Sequence, residues 1–403
     1  MRFQLECLQK SDSWKSILVV QQQIVDQGFI AYLAGGAVRD AFLGVIPHDF
    51  DLVTDASVQD LQKIFKKVVL VGESFGVIRV IESGHTIEVA QFRKESDYKD
   101  GRHPSLVSAA TPEEDALRRD FTVNALFYDF STGKVLDFVG GLTDLENRKL
   151  RCVGNSEVRF QEDHLRILRA IRLEAQLGFT LNPETKTACE NLAPLTLKVS
   201  KERIQDELIK MITGPRPNLA IQSLWNFGLM KILFPQRAEN YQEVLSQIEI
   251  LFKYSVSNAE LALTFFAWRI KKSEDFFKNL KWPKKSEKNI QTVLNIFMFK
   301  EEFLRQRLGE QLLIYQDNLF QKVLVACQDF YFDSKEKEKL SELKNQWIKV
   351  GQNNLLPAPL VKAIDLPENY QGSQIGSALK EAFLLQLENP TMSKTEIKKA
   401  LGN

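Results

Sequence analysis

The stretch 33-LAGGAVRDAFLGVIPHDFDLV-53 places a glycine pair, an arginine and two aspartates between apolar runs of strand character. A dinucleotide loop, a metal site and an ordinary turn compete to explain it. A dinucleotide loop needs three glycines spaced GxGxxG and an acidic residue about 20 positions further on. Gly35 and Gly36 are adjacent and no third glycine stands where that pattern needs one. The following segment, AVRDAFLG, reads as a short helix whose first turn presents free N–H groups, with Arg39 beside them, and this suits a triphosphate. In an extended strand Asp49 and Asp51 point to one face and Phe50 to the other. Two neighbouring carboxylates repel unless a cation lies between them. Magnesium, which takes oxygen ligands and keeps substrate phosphates in its shell, is the fitting ion. For the DxD pattern alone, a surface turn with solvated aspartates stays open as the alternative.

Further along, HTIEVAQFR puts Glu88 on a strand between apolar neighbours, either as a third carboxylate for the same metals or as a solvated strand acid. EEDALRRDFTVNALFYD gathers Arg118, Arg119, Asp120 and Asn124 within seven residues. Arginines neutralise phosphate bidentately and a carboxylate holds a ribose hydroxyl, although such a tripeptide is also an ordinary salt-bridge patch. In EDHLRILRAIR the residues Asp163, Arg166, Arg169 and Arg172 recur every three positions. On one helix they form a polar ridge beside the apolar face.

Composition restricts the function classes. The 403 residues are 44% hydrophobic, enough for several cores, and 53 Lys and Arg against 52 Asp and Glu leave a net charge of +1. Any basic binding surface must therefore be local. Four scattered cysteines form no CxxC pair, which argues against a zinc module or a disulfide framework and for a reduced, cytoplasmic setting. The charged start does not read as a signal segment, and no apolar run reaches spanning length, so no membrane association is expected. Short β-branched runs dominate before about residue 155 and amphipathic helical periodicity after it.

Taken in order, GGAVRDAFLG with DFDLVTDA, then RRDFTVNAL, DFVGGLTDLENRKLRCVG and FQEDHLRILRAIRLEAQLGF resemble the successive motifs of the bacterial and eukaryotic tRNA nucleotidyltransferase/poly(A) polymerase family. The resemblance covers residues 31 to 182; beyond 225 it is one of helical character only. It implies an α+β fold: a polymerase-beta-type nucleotidyltransferase head with a mixed sheet and helices (1–154), followed by an all-α neck for base recognition (155–224), body (225–310) and tRNA-binding tail (311–403). Carried over by position, Asp49 and Asp51 hold catalytic Mg2+ ions; Glu88, read from its own strand and not from the resemblance, is the candidate third catalytic carboxylate. Gly35, Gly36 and Arg39 meet the incoming nucleotide, and Arg119 and Asp120 contact its phosphate and ribose. Asp163, Arg166, Arg169 and Arg172 fall on the nucleotide-binding neck helix. The implied activity is template-independent addition of C, C and A to the 3′ end of tRNA from CTP and ATP. A-adding and poly(A)-polymerizing activities, and a non-catalytic RNA-binding relative, are the alternatives. The sequence carries no signal for oligomeric state.

Cytosine and adenine each set an exocyclic donor beside a ring acceptor, whereas uracil and guanine reverse that order. An aspartate that accepts and an arginine that donates therefore select C and A. A mismatched base leaves buried polar groups unpaired at roughly 1 to 3 kcal/mol each. The polar segment 93–105 reads as a flexible loop, which in the family assists the switch from C to A addition. Residues 269–288 hold eight basic and three acidic residues interleaved with Phe276, Phe277 and Trp282. They suit an RNA backbone or, equally, a solvated helical surface. The last histidine is His164, so the HD phosphohydrolase region that some relatives append is excluded.

Overall fold

The computed structural model describes residues 2–70, 76–98, 101–102, 104–234, 262, 264, 266, 284–351, 355–367 and 370–402. The chain divides into two compact units, Met1–Gln236 and Arg237–Asn403. In the first unit, seven strands form a mixed sheet: β1 (Ala31–Ala34), β2 (Asp51–Thr54), β3 (Val68–Leu70), β4 (Val77–Glu82), β5 (His85–Gln91), β8 (Leu126–Asp129) and β9 (Lys134–Asp137). Their spatial order is β3-β4-β5-β2-β1-β8-β9. Only β2 and β5 are parallel; every other neighbouring pair is antiparallel. Six helices accompany the sheet: α1 (Leu5–Gln9), α2 (Trp14–Val25), α3 (Gly36–Leu43), α4 (Val58–Ile64), α5 (Pro112–Arg118) and α6 (Gly141–Glu146). The head is thus richer in helix than its β-branched runs suggest, because amphipathic stretches such as WKSILVVQQQIV cover the sheet with a single apolar face. Ala34, Val53, Phe92, Ala116, Ala125, Phe127 and Val153 form one buried cluster beneath the motif segments.

Segment 93–105, expected as a loop, is mostly a two-stranded ribbon: β6 (Arg93–Tyr98) pairs antiparallel with β7 (Pro104–Ala109). Its polarity misleads, because the ribbon lies apart from the main sheet, with Arg93 paired to Glu95 and Lys94 to Glu114 of α5. Residues 99, 100 and 103 of this segment lie outside the described residues.

Helices α7 (Ser156–Glu162), α8 (Leu165–Leu177), α9 (Pro183–Leu192), α10 (Lys201–Ile212), α11 (Pro217–Asn226) and α12 (Leu229–Leu233) belong to the same unit as the sheet. Helix α8 buries Ile167, Leu168, Ala170, Ile171 and Leu173 and ends at Gly178, whose φ of 66° is left-handed and suits glycine. The division expected at 154/155 is bridged by β10 (Lys149–Leu150) pairing with β11 (Thr180–Leu181), and by the Cys152 N–H donating to Thr185 Oγ1 at 3.2 Å. The divisions expected at 224/225 and 310/311 fall inside α11 and inside the helix Leu308–Tyr315. Helical periodicity locates helices, not the places where one core ends and another begins.

The described part of the second unit is helical, with longest helices Lys284–Met298, Asn318–Tyr331, Ser334–Val350 and Ser373–Glu388. Leu312, Phe320, Leu343 and Leu387 are fully or almost fully buried in it. Most of the basic aromatic segment 269–288, namely 269–283, lies outside the described residues.

Candidate active site

The sheet order brings the motifs together. Strand β1 lies between β2 and β8, and the register sets Asp51 beside Ala34 on one side and beside Glu88 on the other. The chain leaves β1 through Gly35 at φ 72°, a conformation for glycine, and enters α3 at Gly36. A side chain at Gly35 would also meet Arg119 Nη1, 3.2 Å from an ideal Cβ. The first turn of α3 therefore opens beside an arginine. Its N–H groups and positive dipole end face the same cleft.

That cleft measures about 750 Å³ and is lined by Gly35, Gly36, Arg39, Asp49, Asp51, Arg118, Arg119, Asp120, Asn124, Asp163, Arg166, Arg169 and Arg172, with Arg203 and Lys210. Every residue expected at the site lines it except Glu88. The β2 strand proper begins at Asp51, so Asp49 lies just before it rather than within it. No side-chain hydrogen bond or ion pair joins Asp49 or Asp51 to a described residue. Asp51 opens to the cleft but is backed by protein elsewhere. Lost hydration, then the nearby Glu88, push its carboxyl up to about 6, with Arg119 opposing and Asp49 adding to the rise. Glu88 is engaged by Arg79, whose Nε and Nη2 donate to Oε1 at 2.8 and 2.6 Å. Among the described residues no group of three or more His, Cys, Asp or Glu side chains is assembled to hold a metal.

Around the carboxylates each arginine is held by an acid. Arg39 is buried, pairs with Asp40 at 2.7 Å and donates from Nη1 to Asn124 Oδ1 at 2.5 Å. Asn124 Nδ2 donates to Asp120 Oδ1 at 3.3 Å, and Asp120 Oδ2 accepts from Arg169 Nε at 2.7 Å. Burial alone would raise the Asp120 carboxyl, but Arg169 holds it well below the usual carboxylate range. Asp115, fully buried, accepts from Arg118 Nη2 at 2.6 Å and pairs with Arg119 at 3.0 Å. It fixes both arginines, and Arg119 also stacks over Phe127. The glycine pair Gly140 and Gly141 serves the same end. A Cβ at Gly141 would lie 2.3 Å from the Thr122 carbonyl oxygen, so only glycine lets α6 pack on the turn Thr122–Asn124 that aims Asn124.

At the neck, Asp163 and Arg166 do not share one helix as their spacing predicts. Asp163 is the C-cap of α7 with extended backbone (φ −139°, ψ 106°), and α8 starts at Leu165. The kink turns the Asp163 carboxylate toward α10, where Arg203 donates to Oδ1 and Oδ2 at 3.2 and 2.8 Å. Arg166 Nη1 donates to Glu162 and to the Arg159 carbonyl at 2.7 and 3.0 Å, and Nη2 to the Arg118 carbonyl at 3.1 Å. Its Nε–H and one Nη2 hydrogen are left over. Arg172 pairs with the buried Glu207 at 2.6 Å. Sequence reasoning missed Asp115, Glu162, Arg203 and Glu207. The first two stand three or four positions from the arginines they hold, a helical signal that was legible; the α10 pair carried no local signal.

The sequence and the fold are similar to those of known proteins. Residues 31–151 match the family described as Poly A polymerase head domain, and residues 178–240 match Probable RNA and SrmB- binding site of polymerase A. The CCA-adding enzyme of Streptococcus pneumoniae (strain CGSP14) is 36% identical over 303 residues, 73% of this chain and 74% of that protein. The chain belongs to the CCA-adding enzyme family. The family's member in Bacillus subtilis (strain 168) is 35% identical over 356 residues, 87% of this chain and 85% of that one. The crystal structure of the Bacillus stearothermophilus CCA-adding enzyme in complex with CTP superposes with a TM-score of 0.81 at 25% identity, covering 97% of each chain. As a CCA-adding family member the chain is a tRNA nucleotidyltransferase, and nucleotidyltransferases of this family use divalent metals. The site fits such an ion: two carboxylates without a side-chain partner among the described residues, one of them disfavoured in its charged form, stand beside the N-terminus of α3. No helix among the described residues is long and apolar enough to cross a membrane.

Proposed function

We propose that this chain, acting in the cytoplasm, adds C, C and A stepwise to the 3′ end of tRNA from CTP and ATP and releases pyrophosphate. The carrying observation is that one cleft joins the α3 N-terminus, Asp49 and Asp51, and the pair Asp163 and Arg166. The triphosphate lies along Gly35, Gly36 and the first turn of α3, with Arg39 and Arg119 offsetting its charge. Because Asp40, Asn124 and Asp115 already hold those guanidinium groups, they need no reorganisation as charge develops on the phosphates. Asp49 and Asp51 hold magnesium, which supplies Lewis-acid stabilisation of phosphate charge when bound. The RNA 3′ hydroxyl attacks the α-phosphate in line and pyrophosphate leaves, so the protein's part is positioning and electrostatics. Asp163 offers an acceptor and Arg166 its remaining N–H groups to the base edge, which suits C and A and leaves U or G mismatched. Arg169, bound to Asp120, carries the neck against the ribose end of the head. Within the four-domain division proposed for the family, body and tail hold the tRNA.

The test supplies purified protein with magnesium, each NTP singly and mixed, and tRNA transcripts ending before C or after CC, or an unrelated RNA. Incorporation limited to CCA on tRNA is expected, with Asp49→Ala inactive. Long A tracts on any RNA would assign a poly(A) polymerase instead. Equal inactivity of wild type and Asp49→Ala would assign an RNA-binding relative.

A further inference from the structure

Eight lysines and arginines line the cleft. Seven are committed to carboxylates: Arg39, Arg118, Arg119, Arg166, Arg169, Arg172 and Arg203. The eighth, Lys210, has no hydrogen bond or ion pair to any described residue. It stands in the last turn of α10, one turn beyond Glu207, and Thr213, Gly214 and Pro215 continue the lining past it. The pairs Arg203 with Asp163 and Glu207 with Arg172 set α10 alongside α8 in the same direction. Lys210 therefore stands level with Gln176, which also lines the cleft. Ten residues of α8 separate Arg166 from Gln176, a distance of roughly 15 Å along the helix at about 1.5 Å per residue.

From this arrangement we infer that Lys210 binds a phosphodiester of the RNA strand at the end of the cleft remote from the carboxylates. This rests on the reading of the cleft as the nucleotide and RNA site. All phosphates of a nucleoside triphosphate lie on one side of its sugar. With those phosphates at Gly35 and the base at Asp163 and Arg166, none is left for an ammonium a further three helical turns along α8. A backbone phosphate of the growing strand is the remaining anion. An unpaired, rotatable ammonium suits it, because successive additions move the strand and a point charge follows where a fixed guanidinium fork would not. Gly214 lets the chain turn tightly against the end of α10, since a Cβ there would lie 2.8 Å from the Lys210 carbonyl oxygen.

The experiment compares wild type, Lys210→Gln and Lys210→Arg, with thermal unfolding as the check on folding. It measures equilibrium binding of tRNA transcripts ending in C or CC over a range of salt, and separately of CTP without RNA. Lys210→Gln is expected to weaken RNA binding about threefold, the share of one phosphate contact, and to lower the slope of log K against log salt by about 0.7. CTP affinity should not move, and Lys210→Arg should restore most RNA affinity. If Lys210→Gln loses CTP affinity while RNA binding is retained, the anion is the nucleotide's and the inference is overturned. Unchanged binding of both ligands also overturns it. Neither readout needs turnover, so failure of CCA addition by the wild type would be seen separately.

Discussion

Asp51 shows how a single residue sets function against stability. Its carboxyl is pushed up to about 6 in the fold, so its charged form is disfavoured and stability falls as pH rises from the ordinary aspartate range through 6. Asp51→Asn should therefore raise the unfolding free energy at pH 7.5 slightly, by less than about 1 kcal/mol because the group opens to solvent, and the melting temperature with it. The same change should lower nucleotide incorporation at least about a hundredfold, since each 1.4 kcal/mol of lost transition-state stabilisation is tenfold. Calorimetry and a single-turnover assay on one preparation check both halves; a lower melting temperature would contradict the charge argument. Asp115 has the opposite character. It is fully buried and paired with Arg118 and Arg119, and its removal leaves Arg119 without a carboxylate, while Arg118 keeps only Glu95 at 3.3 Å. Asp115→Ala should destabilise the protein by about 3 kcal/mol in denaturant unfolding.

At the scale of elements, the clasp between the turn Thr122–Asn124 and α8 is one line of hydrogen bonds, Arg39 to Asn124 to Asp120 to Arg169. Asp120 is held well below the usual carboxylate range, so its contribution is complete at neutral pH and above the unfolded value. It is lost as pH falls from about 4 toward the folded value. Arg169→Ala should therefore remove part of the acid-sensitive stability. The gap in unfolding free energy between wild type and variant should be constant above about pH 4 and narrow steadily as pH falls below it, and a gap that does not narrow from about pH 4 to 2 would refute this. The α7–α8 junction makes a related point. Its sequence has uninterrupted helical spacing, but Asp163 leaves helical geometry where its carboxylate accepts the Leu165 N–H at 3.1 Å and is gripped by Arg203. A local cap and a distant arginine together outweigh propensity there.

On the scale of the whole molecule, sheet and neck helices belong to one compact unit. The β10–β11 pairing and the Asp120–Arg169 bridge cross the division that composition suggests near residue 155. Arg169→Ala in the neck and Asp115→Ala in the head should shift the same thermal transition, monitored by near-UV dichroism of the native protein. Separate movement of two transitions would show independent cores. The net charge of +1 carries a further consequence. RNA binding must come from local basic groups, so tRNA affinity should fall steeply with salt between 50 and 200 mM. On the proposed reading CTP is held by pre-paired arginines in the cleft, and its affinity should respond far less.

The motifs and their order were legible in the amino-acid sequence, because short spacing brings together residues that are near in the chain, even where the expected strand or helix does not run through all of them. Asp49 with Asp51, the Gly35–Gly36 turn and the ridge of Arg166, Arg169 and Arg172 are all of that local kind. Pairing across the sheet, which set Glu88 beside Asp51 yet gave it to Arg79, was decided by the tertiary structure alone. So were the grip of Arg203 on Asp163 and the solitary position of Lys210 among paired arginines. The contacts among these join residues 9 to 40 positions apart, where charge and distance count and sequence period carries no information.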